Sequence, residues 1–235
     1  MNTKTALLIL GLISAASLTV STASATIIGG VDFPQGALSF ADAVVDYTPH
    51  IDIPDPYSLT GESPDPQWRN PADALGVPNF TPPVGSTHNL GQFVSLGNGG
   101  FLTLQFTNNK LTGSGDSGDD LHIFEVGPLV EDTKVWISQD GVIWLFVGLI
   151  LGSTRGVDID AVLAANLLPP ATQFGYVRLQ DDPAHVLPPN EQYGFYAGAD
   201  IDAVGAISSI PEPATMVLLL LGGAGALLCR SGHRA

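Results

Sequence analysis

The chain has 235 residues and is strongly acidic, with 23 aspartates and glutamates against eight lysines and arginines. Between residues 26 and 210 the imbalance is sharper, with 22 acids and five bases. Nucleic acid and anionic membrane surfaces both need a cationic face, so this balance argues against them as partners and favours divalent cations. Because the single cysteine is Cys229, near the C-terminus, the central part of the chain has no disulfide.

The first 25 residues have the order of features of a secretory signal peptide. Lys4 precedes the apolar run ALLILGLISAASLTV, and Ala23 and Ala25 form an A-x-A cleavage site. The alternative, a buried core helix, explains neither the early charge nor the small residues that end the run. We therefore expect residues 1–25 to form a signal helix that directs export.

Residues 26–92 differ in composition from residues 93–208. Nine prolines between positions 46 and 92 rule out long helices there. This proline-rich part of the ectodomain is expected to consist of extended segments and loops that lead into the following domain.

From Phe93 onward, short alternating apolar runs between glycines predict at least six strands. In FLTLQFT, Leu102 and Leu104 share one face, and TKVWIS and VIWLFVG flank a hairpin at Gln139-Asp140-Gly141. Only residues 158–168 have a helical pattern, with Asp158 as the N-cap. The fold class is therefore all-β: an antiparallel, jelly-roll-like β-sandwich over residues 93–208.

The C-terminal residues 209–235 combine three features in order. The triplet Pro211-Glu212-Pro213 precedes an apolar run over residues 214–229, and a basic end follows. As a helix, the run would span about 24 Å, enough for a single transmembrane helix if the bilayer thins locally. The basic end would stay in the cytoplasm, which places the rest of the chain outside.

This C-terminus resembles the PEP-CTERM sorting signal. The resemblance implies export across the inner membrane of a Gram-negative bacterium, transient anchoring through the C-terminal helix, and processing by an exosortase. It also implies a final location at the cell surface or outside the cell, since such proteins usually accompany exopolysaccharide or biofilm matrix production. A permanent single-span anchor is the alternative.

A second resemblance covers about residues 72–207. The segments DALGVPNF, FVSLGNGGFLTLQF, GDDLHIFEVG, VWISQDGVIW and GADIDAVGAI occur in an order that resembles a bacterial cell-surface β-sandwich of exported proteins. The resemblance implies a jelly roll similar to galactose-binding-like modules, with bound calcium and no single activity. The chain departs from that pattern at Asn79, where an acid is usual.

The tetrad Gly115-Asp116-Ser117-Gly118 matches the start of the chymotrypsin-like nucleophile motif. Asp119 follows, however, and its negative charge opposes a developing oxyanion. No histidine lies in a recognisable triad segment, and the tetrad lacks the G-x-S-x-G form of a nucleophile elbow. We therefore expect no serine protease.

The same loop has the composition of a calcium site. Asp116, Asp119 and Asp120 supply hard oxygens beside flexible glycines, and Glu125 in the next strand adds a further carboxylate. A solvated acidic turn is the alternative.

A second acidic pair favours the metal. Asp200 and Asp202 are two residues apart in a predicted strand, so both carboxylates project from one face, where a cation offsets their repulsion. We predict one calcium ion that uses part of the 116–125 loop and the final strand. For Asp158 and Asp160 a helix cap or a solvated role is preferred.

Aromatic residues are candidates for a sugar platform. Trp136 shares a strand face with Lys134 and Ser138 and is expected to be exposed, whereas Trp144 lies among apolar residues and fits core packing better. The full set of candidates is Trp68, Trp136, Trp144, Tyr193, Phe195 and Tyr196.

These features together predict a calcium-stabilised, non-enzymatic cell-surface or extracellular-matrix protein that contacts extracellular polysaccharide or other matrix components. One alternative is a calcium-dependent carbohydrate-binding module. The other is a polysaccharide-active enzyme, but carboxylate pairs arise by chance in so acidic a chain and do not support it.

Overall fold

The structure is a computed structural model that describes residues 25–51, 60–81, 92–126, 131–152, 155–183 and 198–211. The predicted signal helix, the predicted transmembrane helix, Ala23, Glu212 and Pro213 lie outside these residues. Ala25 is the first described residue and is exposed. Within the described ranges, no helix combines the length and the apolar character needed to cross a membrane.

Strands dominate the described residues. One α-helix, α1, spans Asp160–Ala165, and short 3₁₀ helices span Gly36–Ser39, Pro66–Trp68 and Pro71–Ala74. The strands are β1 (Thr26–Ile28), β2 (Val31–Phe33), β3 (Ala43–Thr48), β4 (Val94–Ser95), β5 (Phe101–Gln105), β6 (Asn109–Leu111), β7 (Leu121–Glu125), β8 (Thr133–Ser138), β9 (Leu145–Ile150), β10 (Arg155–Val157), β11 (Tyr176–Asp181), β12 (Asp200–Ala206) and β13 (Ser209–Pro211).

Two antiparallel sheets form a β-sandwich. The four-stranded sheet has the order β10-β7-β12-β4, and the five-stranded sheet has the order β3-β5-β11-β8-β9. Two small sheets, β1-β2 and β6-β13, accompany them. The prediction of an antiparallel all-β sandwich is confirmed at this level.

The core lies between the two main sheets. Leu102 and Leu104 of β5 pack there with Val177 of β11 and with Ile123 and Val204 of the other sheet. Because side chains alternate along a strand, Thr103 between these leucines points to the other side of the sheet, where it too is buried. The alternation in FLTLQFT therefore predicted the buried face correctly.

The predicted hairpin joins β8 to β9. Gly141 has a φ of 76°, and the Asp140 carboxylate accepts hydrogen bonds from the backbone N–H of Val142 and Ile143 at 2.8 and 2.9 Å. After these turn contacts the second strand begins at Leu145, three residues later than the predicted run that starts at Val142.

The helix α1 is shorter than the predicted range 158–168. Its first residue is Asp160, and Asp158 Oδ1 accepts from the Asp160 backbone N–H at 2.8 Å. The N-cap position is Ile159, so the predicted N-cap Asp158 lies one residue earlier and supports the start of the helix through this hydrogen bond.

The proline-rich part contributes to the sandwich itself. β3 is the edge strand of the five-stranded sheet, and Ala41 and Ala74 lie in the core. Trp68 is 1% exposed and stacks on Phe93 with 4.7 Å between ring centroids. These residues do more than lead into the sandwich, because their apolar side chains complete its core.

Candidate metal centre

Asp120 accepts hydrogen bonds from three separate segments of the chain at one end of the sandwich. It directly precedes β7 and is completely buried. Its carboxylate accepts from the Ser114 N–H at 2.6 Å and from the Ile159 N–H at 3.0 Å, and its carbonyl accepts from the Ile207 N–H at 2.7 Å. Burial raises the pKa of the Asp120 carboxyl, and these N–H donors partly offset that rise.

Two more carboxylates lie beside it. Asp120, Asp158 and Asp160 each offer an oxygen within 4.8 Å of the other two. Asp160 Oδ2 accepts from Ser114 Oγ at 3.1 Å and from the Gly115 N–H at 2.7 Å. In the described part of the chain, the buried Asp160 Oδ1 meets no hydrogen-bond donor. A carboxylate oxygen in this position suits a hard cation such as calcium.

Close packing of the loop keeps these oxygens together. A Cβ at Gly113 would overlap with Asp160 Oδ1, so glycine at this position lets the loop approach the carboxylate. Asp116 lies at the rim, where its Oδ1 accepts from the Gly118 N–H at 2.7 Å and from Ser114 Oγ at 3.2 Å. A groove of about 390 Å³ opens between this loop and α1.

Ser117 is exposed on the turn and lines the same groove. The titratable side chains of the groove lining are Asp116, Asp158 and Asp160. A serine with three carboxylates around it lacks the imidazole base that a nucleophile requires. The arrangement favours a cation over an acyl-transfer site.

Asp119 points away from this cluster. A Cβ at Gly156 would overlap with Asp119 Oδ2, so the carboxylate lies over that glycine of β10. Gly156 pairs with His122 of β7, whose ring is 4.7 Å from that of Phe124. Burial lowers the pKa of His122, and the nearby Asp119 charge partly counters this.

The predicted ligands of the final strand lie at the opposite end of β7. In the antiparallel pair, Leu121 faces Ala206 and Glu125 faces Ile201. A strand rises about 3.4 Å per residue, so Asp120 and Glu125 are separated by about 17 Å along the strand. One ion cannot contact both ends, so the structure divides the six candidate ligands between them and leaves Glu125, at the end of the 116–125 segment, near Asp200 of the final strand.

Asp200 and Asp202 do not act as a pair. The register shifts between Ile201 and Ala203, which places Asp202 in a bulge. Its two carboxylate oxygens accept from the Asn79 N–H at 3.0 Å and the Phe80 N–H at 3.2 Å, whereas Asp200 accepts from Ser95 Oγ. The bulge breaks the alternation on which the prediction relied.

Glu125 and Asp200 instead belong to a buried acidic group with Glu131 and Asp181, each less than 10% exposed. Burial, followed by a hydrogen bond with Glu131, raises the pKa of Glu125 to about 10. Burial also raises the pKa of Asp200, while Asp181 accepts from the Ala199 N–H at 2.9 Å. Glu131 follows Glu125 by six residues and Asp181 precedes Asp200 by 19, so the two-residue alternation of a strand indicated neither of them.

The aromatic candidates divide by location. Trp68 is a core residue, as its stacking on Phe93 shows. Trp136 and Trp144 are both half-buried, so Trp144 is not the core residue that its apolar neighbours suggested. Its ring lies over the Arg178 guanidinium, 4.2 Å from the ring centroid. The other three candidates, Tyr193, Phe195 and Tyr196, lie outside the described residues.

Comparison with known proteins identifies the C-terminus. No curated protein is significantly similar to the chain. A solved structure with some similarity is the C-terminal domain of a chitobiase from Bacteroides fragilis, with 9% identity and a TM-score of 0.31. The match covers 48% of this chain and 64% of that one, so the chain spans less than two thirds of its length. Residues 209–234 match the PEP-CTERM protein-sorting motif, and the chain therefore carries the signal of an exported protein that an exosortase processes.

Proposed function

We propose that this chain is a non-enzymatic protein of the cell surface or extracellular matrix of a Gram-negative bacterium, associated with its exopolysaccharide or biofilm. The sorting motif at residues 209–234 carries the proposal, because it directs the preceding sandwich out of the cell. Anchoring through the C-terminal segment is transient, and exosortase processing ends it. Outside the cell the sandwich binds matrix polysaccharide.

The topology supports a jelly-roll scaffold for this role. Among the described strands, the chain passes from one main sheet to the other seven times: between β3 and β4, β4 and β5, β5 and β7, β7 and β8, β9 and β10, β10 and β11, and β11 and β12. Such crossings place loops at both ends of a rigid sandwich. Phe33 and Phe40 cover the outer face of the four-stranded sheet, which leaves the outer face of the five-stranded sheet for a large partner.

Calcium is the proposed cofactor, held by Asp120, Asp158 and Asp160. The support is the proximity of their oxygens and the Asp160 Oδ1 that meets no donor from the described residues. A calcium ion would neutralise carboxylates that otherwise repel one another and would join loop 113–120 to α1. Its role is structural, since it would rigidify one end of the sandwich.

Thermal unfolding of the full chain in detergent tests the cofactor. Calcium at about 100 times its Kd adds roughly 2.7 kcal/mol, which should raise Tm by about 5–10 °C over the chelated protein. Asp160→Asn should abolish most of this shift. The matched control Asp32→Asn, at an exposed acid of β2, should keep it.

An equal Tm with calcium and with chelator in the unaltered chain would contradict the calcium proposal. A Tm shift that survives in Asp160→Asn would place the ion elsewhere. Neither result bears on export, which depends on the sorting motif.

A calcium-dependent carbohydrate-binding module is the second candidate. The half-buried Trp136 and Trp144 favour it, because partly exposed indole rings pack on sugars. It requires saturable binding of a defined glycan that a chelator abolishes. Loss of stability without any glycan binding would favour the purely structural role, and release of reducing ends from the host polymer would instead show an enzyme.

A further inference from the structure

A row of side chains crosses the outer face of the five-stranded sheet. Direct cross-strand partners link Asp46 to Thr103, Thr103 to Arg178, Arg178 to Trp136, and Trp136 to Phe146. Residues opposite one another in paired strands project to the same side of a sheet. Their neighbours in sequence, such as Leu102 and Val177, are core residues, so this row faces away from the core.

Arg178 stands in the middle of the row. Its guanidinium lies 4.2 Å from the Trp144 ring centroid and 5.4 Å from that of Phe101, and its Nε donates to Thr103 Oγ1 at 3.0 Å. The two rings and this hydrogen bond hold the guanidinium plane in place. Although the chain has 23 acids, no carboxylate of the described residues forms an ion pair with Arg178.

Apolar rings and planar polar groups surround this cation. Trp136 packs against Phe146 with 5.2 Å between ring centroids, and Phe146 and Leu149 are 48% and 40% exposed. On the other side of the row, Gln105 Nε2 donates to the Tyr176 hydroxyl at 3.3 Å. Rings beside amide, hydroxyl and guanidinium groups match the alternating apolar faces and polar edges of sugar rings.

We propose that this face binds an acidic polysaccharide, with a uronate carboxylate held by Arg178 and sugar rings packed on Trp136, Trp144 and Phe146. The inference rests on the proposed matrix function and names the polymer and the surface. A guanidinium fork binds a carboxylate through two parallel hydrogen bonds, which a neutral sugar cannot match. Asp46, the exposed acid at one end of the row, lies two strands, about 9.6 Å, from Arg178. It repels the polymer little there, because physiological salt screens charges beyond about 8 Å.

Calorimetric titration of the full chain in detergent tests the inference. The probes are a short oligogalacturonate that does not gel with calcium and the same oligomer after its carboxylates are reduced to alcohols. The acidic probe should bind saturably, and the reduced probe should bind at least about tenfold more weakly. Arg178→Gln should weaken binding of the acidic probe to a similar extent, and Arg178→Lys should fall between, because it keeps the charge without the fork.

Arg155→Gln is the matched control, since Arg155 is exposed on β10 of the other main sheet. Its affinity for the acidic probe should equal that of the unaltered chain. Thermal unfolding of each variant confirms that it is folded. The comparison of the two probes uses the unaltered chain and therefore stays decisive even if Arg178→Gln misfolds.

Equal affinity for both probes would contradict the proposal that the ligand is acidic. Unchanged affinity of folded Arg178→Gln for the acidic probe would contradict the assignment of this surface. Self-association of the chain that Arg178→Gln abolishes would show that a second copy occupies the face, which also overturns the inference. Retention of the chain on isolated host matrix is a separate measurement. If the chain is retained on the matrix but does not bind the acidic probe, the proposed matrix function stands and the assignment of an acidic ligand to this face is wrong.

Discussion

At the scale of single residues, Glu125 has the clearest consequence for stability. Burial, and then its contact with Glu131, raises the pKa of the Glu125 carboxyl from 4.5 to about 10. The folded chain therefore keeps this proton at neutral pH, whereas the unfolded chain releases it. Because the unfolded state binds fewer protons, this carboxyl lowers stability as pH rises from about 4.5 towards 10, and it has no such effect below that range.

Glu125→Gln should remove this penalty. In chelator at pH 7 we expect its free energy of unfolding to exceed that of the unaltered chain by an amount on the order of 3 kcal/mol. The difference should vanish near pH 4 and grow towards pH 9, which urea unfolding at several pH values would measure. Glu62→Gln, at a partly exposed ion pair with Arg69, is the control and should change stability by less than about 1 kcal/mol. A difference that is constant with pH would contradict the assignment.

At the scale of elements, the bulge in β12 changes what an acidic strand does. Asp202 leaves the regular alternation and binds the backbone N–H groups of Asn79 and Phe80. This contact attaches a proline-rich loop to the four-stranded sheet. The departure from the family pattern at Asn79 is therefore compatible with a contact made through the backbone, for which the side chain is not needed.

Asp202→Ala should detach this loop. Two hydrogen bonds to a carboxylate are lost, so we expect the free energy of unfolding at pH 7 to fall by about 2 kcal/mol or more. Hydrogen exchange at the Asn79 and Phe80 amides should accelerate. Asp42→Ala, which removes a similar contact to Thr107, should leave exchange at those two amides unchanged. Normal protection of both amides in folded Asp202→Ala would show that the contact does not hold the loop.

At the scale of the whole molecule, the sorting motif begins within the folded domain. Its first residues, Ser209–Pro211, form β13 and pair with β6, so little chain separates the sandwich from the signal. Sorting and folding are nevertheless distinct properties, since the rest of the motif follows the last described strand.

Alanine substitution of Pro211, Glu212 and Pro213 should separate these properties. We expect the altered chain to stay in the membrane fraction of the host, because the exosortase no longer recognises it, and the Tm of the sandwich to stay nearly the same. Cell fractionation with an antibody against the sandwich measures the first outcome. Asp160→Asn is the control and should be processed normally. Release of the triple variant at the normal level would contradict exosortase sorting through this triplet.

The sequence by itself determined the features that depend on near neighbours. Alternation identified the buried leucines of β5, and Gln139-Asp140-Gly141 identified a hairpin, because pleat and turn geometry extend over only a few residues. The sorting motif was also evident from its order of triplet, apolar run and basic end, which the comparison with known proteins confirmed.

Only the tertiary structure decided which side chains meet. Asp120 joins Asp158 and Asp160 from a segment almost forty residues later, and Arg178 lies between Phe101 and Trp144 from two other parts of the chain. Strand pairing within each main sheet, of β7 with β10 and of β5 with β11, brings these groups together. The length of β7 and the bulge in β12 separate acids that the sequence pattern had combined. A local pattern shows which way a side chain points along its strand, but its neighbours in space depend on the order and register of the sheets.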